Sequence, residues 1–126
     1  MILALMIHPG EHPSPICLCE DILSLKIALG IEEEMASSVS VLPLDDRAII
    51  LFHKDSMWYG GKGNRRIGKD IITGTLYIVG AENGKLISLS RKEMQRYAAR
   101  FWEPEKFNHD ELIDNWLADL QAELEV

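Results

Sequence analysis

The loop Gly60-Gly61-Lys62-Gly63-Asn64-Arg65-Arg66 holds the residue types best suited to chemistry in this 126-residue chain. Glycines leave backbone amides open to an approaching group, and arginine forks match phosphate oxygens, so the loop resembles an anion cradle. It is not a Walker A loop, because no Lys-Ser or Lys-Thr closes it and a strand pattern, not a helix, follows. Downstream, Lys92, Arg96 and Arg100 recur every four residues and form one basic stripe on a helix. Together with Lys69, these features define a candidate binding set of Asn64, Arg65, Arg66, Lys69, Arg96 and Arg100. Such a set suits a phosphate ligand or nucleic acid. The plainer readings are a flexible loop kept soluble by charge, and a solvated helix face with Arg96 near Glu93 and Arg100 near Glu103 in weak pairs.

Other constellations are thinner. Cys17 and Cys19 fall on one side of a strand, with His8 and His12 nearby. Zinc sites need paired clusters with loop geometry, so small buried hydrophobes are the better reading of these cysteines, and no metal is expected. No Gly-x-Ser-x-Gly, His-Glu-x-x-His or Gly-x-Gly-x-x-Gly motif occurs, so no catalytic residues and no cofactor are assigned. Asp45-Asp46 reads as a turn. His53, at a strand end beside Asp55, reads as structural.

Charge is unevenly distributed within a net of -7. Residues 1–53 carry two basic and eight acidic residues, residues 54–106 eleven basic and six acidic, and residues 107–126 six acidic and no basic. A basic middle is therefore flanked by acidic ends. The ends can fold over the middle and neutralise it, or the middle can meet an anionic ligand. The first is favoured, because an acidic chain repels polyanions unless its basic patch is well segregated.

The elements that must position these residues follow from period and punctuation. Met1–Ile7 is an unbroken apolar run that reads as a strand buried on both faces. It is far shorter than the roughly 20 residues that cross a bilayer, and it lacks the flanks of a signal peptide. A short edge strand over residues 16–19 follows the proline-bearing loop 11–15. Residues 21–29 form a helix with Asp21 as N-cap and Gly30 past its end. Strands are expected over 39–42 and 48–53, joined by a turn at 43–46. Residues 56–69, with four glycines, read as a long loop. Residues 71–81 read as one long strand with Gly74 inside it, marking a bulge or close backbone approach. Asn83-Gly84 is a hairpin turn into a return strand over 86–89.

Ser90-Arg91-Lys92-Glu93 is a capping box, and Met94, Tyr97, Ala98 and Phe101 form the core stripe of the next helix. Pro104 ends it. Asn108-His109-Asp110-Glu111 starts a last, acidic, amphipathic helix expected to bury Leu112, Ile113, Trp116, Leu117, Leu120 and Leu124. The fold class is α+β: a mixed or mostly antiparallel sheet of about six strands with about three helices, in one domain over residues 1–126.

Several stretches, taken in order, resemble the domain of unknown function 3846 family found in bacteria, phages and mobile elements. They are Asn64-Arg65, Ile72-Thr73-Gly74-Thr75, Ile78-Val79-Gly80, Ser88-Leu89-Ser90, Tyr97, Arg100-Phe101 and Pro104. The opening strand, the helix near Asp21 and Val41-Leu42-Pro43-Leu44 are also similar. The resemblance covers roughly residues 1–107 and leaves out the helix over 108–126. It implies a small intracellular accessory domain and no particular activity. Gly74, Ser90 and Phe101 have structural explanations, whereas Asn64 and Arg65 have no obvious packing reason and are the best site residues.

The function expected is therefore a non-enzymatic accessory or regulatory binding domain in the cytoplasm. Its partner is another protein or a second copy, met through Ile113, Trp116, Leu117 and Leu120 of the last helix. The alternative is nucleic-acid or phosphate binding through the basic loop and helix 91–102.

Overall fold

The computed structural model describes residues 1–35 and 37–125. Its organising strand is β7, Leu76–Glu82. Leu76, Tyr77, Ile78 and Val79 are all buried, so this strand has no solvent face and must lie at the centre of a sheet covered on both sides. It does: the strand order is β2-β1-β7-β4-β3, every pairing is antiparallel, and β8 extends the β1 side of β7. The members are β1 (Ile2–Ile7), β2 (Ser14–Leu18), β3 (Ser40–Asp45), β4 (Ala48–Phe52) and β8 (Lys85–Ile87). The architecture is α+β, as its sequence pattern implies.

Alternation sorts the side chains into two cores. Leu5, Ile7, Ile50, Leu76 and Ile78 point to one face and pack with Tyr97 and Phe101. Ile2, Ala4, Leu51, Tyr77 and Val79 point to the other and pack with Leu25 and Leu29. Helix α1 (Ile22–Ala28) covers the second face. Its Asp21 cap accepts from the Ser24 amide at 2.9 Å, and the Tyr77 hydroxyl donates to the Ala28 carbonyl at 3.1 Å. Helix α2 (Arg91–Arg100) covers the first face, and the reciprocal Ser90–Glu93 capping box opens it.

The stretch 56–82 departs from its sequence reading. Residues 56–69 are not a structureless loop. Ser56–Tyr59 forms a 3-10 turn, and Gly63–Ile67 forms strand β5, paired with β6 (Asp70–Thr73) in a separate two-stranded sheet. The expected single strand 71–81 is therefore two strands in different sheets. The break is at Gly74, where φ is +74° and a Cβ would lie 2.8 Å from Ser56 Oγ. Glycine alone accepts both constraints, so the chain leaves one sheet and enters the next there.

Helix α3 (His109–Leu124) starts with a second capping box, Asn108 and Glu111. It lies beside β6. Only Leu112 of its apolar residues is buried; Leu117 is 50% exposed and Leu124 77%. The expected burial of all six apolar residues does not hold: Ile113, Trp116 and Leu120 are half-buried, and Leu117 and Leu124 face outward. No helix among the described residues is long and apolar enough to cross a membrane.

Candidate functional site

Asn64 and Arg65 are wholly buried. Their type is explained by internal hydrogen bonding. Arg65 Nε donates to the Phe101 carbonyl at 3.0 Å, Nη2 to the Glu11 carbonyl at 2.7 Å, and Nη1 to Asn64 Oδ1 at 3.0 Å and the Asn64 carbonyl at 3.2 Å. Asn64 Nδ2 donates to the Ile7 and Gly74 carbonyls, both at 2.8 Å. One pair of side chains thus ties the end of β1, the turn after it, the end of α2 and the Gly74 break together. Burial pulls the Arg65 guanidinium below its ordinary range, while the Glu105 and Glu103 carboxylates act against that. Among the described residues, no carboxylate lies within ion-pair distance of it.

The segments fixed by this pair line an open cleft of about 430 Å³. Its walls are His8 and Glu11 from the turn after β1, Gly60, Gly61 and Lys62, and Gly74 with Thr75. The His8 Nδ1 and Thr75 Oγ1 atoms share a hydrogen bond at 2.6 Å. The glycine amides are not an empty cradle. The Gly60 and Gly61 amides donate to the Ser56 carbonyl, and the Gly74 amide to the Lys62 carbonyl at 2.8 Å. Any ligand here would meet side chains, not a ring of free N–H groups.

The remaining four basic residues are exposed and do not join Asn64 and Arg65. Arg66 lies 3.7 Å from Glu111 and stacks over Phe107. The Lys69 carbonyl accepts from Asn115 of α3. Arg96 pairs with Asp45 at 3.5 Å and stacks on Tyr97, whose hydroxyl also donates to Asp45. Arg100 stacks on Phe101. The expected Arg96–Glu93 pair does not form, because Glu93 is committed to the cap of α2. Arg96 and Tyr97, with the Arg47 amide, hold the Asp45 carboxyl below its usual range, the Tyr97 bond being the largest influence. Lys54 meets Glu123 at 2.8 Å. The acidic last helix thus neutralises part of the basic middle. Cys17 and Cys19 are exposed, contrary to their reading as buried hydrophobes: β2 is an edge strand, and Cys17 alternates with Ile16 and Leu18, which pack in the second core.

A second concave feature was not visible in the sequence. A groove of about 360 Å³ runs between α3 and the sheets. Trp116 and Leu120 form one wall; Phe52, Met57, Ile71 and Ile72 form the other. Polar ties cross it. Asn115 Oδ1 accepts from the Ile71 amide at 3.1 Å, its Nδ2 donates to the Lys69 carbonyl at 2.9 Å, and Trp116 Nε1 donates to Asp55 at 3.4 Å. Trp58 stands edge-on to Trp116 at 5.3 Å and, like Tyr59, is more than half exposed. At the groove, burial raises the Asp119 carboxyl, and the nearby Asp70 carboxylate raises it further, against Lys69. Of the α3 residues in its lining, Leu112, Trp116 and Leu120 carried a sequence signal as members of the apolar stripe; Met57 carried none, since its neighbours come from distant elements.

Residues 2–102 match the family described as Domain of unknown function (DUF3846). No curated protein and no solved structure matches the chain significantly. The matched span includes the Asn64–Arg65 pair and the cleft, and ends before α3.

Proposed function

The chain belongs to the Domain of unknown function (DUF3846) family, and from that premise we propose that it is a non-catalytic accessory domain of the cytoplasm that binds a polypeptide partner through the α3 face. One observation carries this reading: the groove between α3 and the sheets is mostly apolar, and exposed Trp58 stands edge-on to Trp116 of its wall, with Leu117 exposed on the same helix. Burying each such side chain contributes about 1.5–3 kcal/mol, so a few anchors suffice for a specific complex.

Charge selects the partner. Residues 107–126 carry six acidic and no basic side chains. Two copies meeting through α3 would bring like charges together, which opposes a symmetric dimer. A segment with apolar anchors framed by Lys or Arg fits instead. Helix α3 lies outside the family-matched residues, whereas the opposite wall, Phe52, Met57, Ile71 and Ile72, lies inside them.

The test uses two synthetic peptides with the same apolar anchors, one framed by lysines and one by glutamates. Binding is followed by tryptophan fluorescence in a Trp102→Phe background, which leaves Trp58 and Trp116 as reporters. Saturable binding of the lysine-framed peptide alone supports the reading. Equal response to both, or a dimer in light scattering without peptide, contradicts it.

A further inference from the structure

A set of buried side-chain hydrogen bonds holds the backbone around the open cleft at His8, Lys62 and Thr75, and the α3 face plays no part in it. Asn64 clamps the Ile7 and Gly74 carbonyls, Arg65 clamps the Glu11 carbonyl, and the Gly74 amide clamps the Lys62 carbonyl. The carbonyls of Ile7, Glu11 and Gly74 are therefore fixed by two side chains that never reach the surface. Two wholly buried polar side chains are expensive for a core that apolar residues could have filled. Rigid support of this kind is what a preorganised site requires.

The electrostatics are specific in sign. The Arg65 guanidinium bonds a carbonyl in the cleft wall and has no carboxylate within 4.0 Å among the described residues. Carbonyl dipoles orient it without cancelling its unit charge, and low-dielectric surroundings let its field reach the cleft. Lys62 is exposed on the same wall and forms no ion pair among the described residues. His8 and Thr75 add a coupled pair: when the imidazole donates through Nδ1 to Thr75 Oγ1, the hydroxyl proton is free to point into the cleft. Glu11 is the single opposing charge in the lining. Gly60, Gly61 and Gly74 contribute no side-chain bulk.

We propose that this cleft binds a phosphate group, with the Lys62 ammonium and the Thr75 hydroxyl as direct donors, His8 orienting Thr75, and the Arg65 charge acting from behind the wall. The direct donors are thus different from the exposed arginines of α2. The phosphate can belong to a small molecule or to a nucleic-acid backbone, and both present the same tetrahedral oxyanion.

The experiment is a titration of isotope-labelled full-length protein with inorganic phosphate at fixed ionic strength, followed by amide chemical shifts, with a short single-stranded oligonucleotide in a second arm. Saturable shifts confined to His8, Lys62, Gly74 and Thr75 are expected. Lys62→Ala, an exposed change, should weaken binding about tenfold. Glu11→Gln should tighten it several-fold by removing the opposing charge. Arg100→Ala should leave it unchanged. Tighter binding of the oligonucleotide than of free phosphate would assign the backbone source; the reverse would assign a small ligand. Non-saturating shifts spread over Arg91, Lys92 and Arg100, or an affinity indifferent to both Lys62→Ala and Glu11→Gln, would overturn the proposal.

Discussion

Arg65 Nε donates to the Phe101 carbonyl at 3.0 Å, joining a hairpin strand to the end of helix α2 inside the protein. Phe101 is the C-cap of α2, where unpaired carbonyls and the negative end of the helix dipole favour a cation. The same guanidinium reaches the Glu11 carbonyl at 2.7 Å. Three segments distant in sequence therefore depend on one side chain.

Truncating that side chain should be severe. Arg65→Ala leaves a cavity and strands the buried Phe101 carbonyl and the part-buried Glu11 carbonyl, so we expect a loss of about 3–5 kcal/mol in denaturant unfolding. Arg65→Lys should recover little, because an ammonium cannot reproduce the fork. A loss under about 1 kcal/mol for Arg65→Ala would show that the network is not structural.

Gly74 and Gly84 make a paired test of backbone strain. Both have positive φ, +74° and +76°, but only Gly74 meets another group within 4 Å, Ser56 Oγ at 2.8 Å. Gly84→Ala should cost about 1 kcal/mol from conformation alone, and Gly74→Ala clearly more, about 2–4 kcal/mol. Adding Ser56→Ala should recover part of the second loss and give a non-additive cycle. Equal losses at the two glycines would refute the close approach.

These positions show how much was legible. Local signals are legible: the Ser90–Glu93 box, the helix start at Asn108–Glu111 and the Asn83-Gly84 turn. All depend on neighbours within a few residues. What was missed depends on partners far along the chain. Strand β5, Gly-Asn-Arg-Arg-Ile, is too polar to look like a strand and follows a glycine-rich stretch, and it exists because β6 pairs with it. Gly74 was visible as special, but whether a strand bends or ends there is decided by Ser56 and Lys62. Arg65 carries the strongest sign of exposure a residue type can give, and only the carbonyls of Glu11 and Phe101 reverse it. The apolar stripe of α3 was visible, but not that Asn115 and Trp116 would tie it to Ile71, Lys69 and Asp55.

Those ties differ in worth. The Lys54–Glu123 pair is exposed on both sides, so Glu123→Gln should cost under about 1 kcal/mol. Asn115 satisfies the amide of Ile71 and the carbonyl of Lys69, as a neighbouring strand would. Asn115→Ala should cost about 1–2 kcal/mol. Denaturant midpoints of both variants check the order, and reversal of the order would contradict it.

His53 gives the chain a pH dependence of known sign. Its ring is buried, its Nε2 has no hydrogen-bond partner among the described residues, and burial holds its pKa down against the nearby Asp55 carboxylate. The ring stacks on Tyr59 at 5.6 Å. A histidine with a depressed folded pKa binds its proton more readily in the unfolded state. Stability is therefore full above the unfolded value of about 6.5 and is lost as pH falls from there towards the folded value. His53→Phe should flatten that part of the stability profile. An unchanged slope between about pH 6.5 and 5 in the variant would assign the dependence to other groups.

The most direct test of the α3 face is the effect of Trp58→Ser and Leu117→Ser on lysine-framed peptide binding, measured beside their unfolding midpoints. Both residues are at least half exposed, so their loss should change stability by no more than about 0.5 kcal/mol. The account predicts near-normal stability with affinity reduced about tenfold or more. Unchanged affinity, or a stability loss above about 2 kcal/mol, would mean that these side chains serve the fold and not a partner.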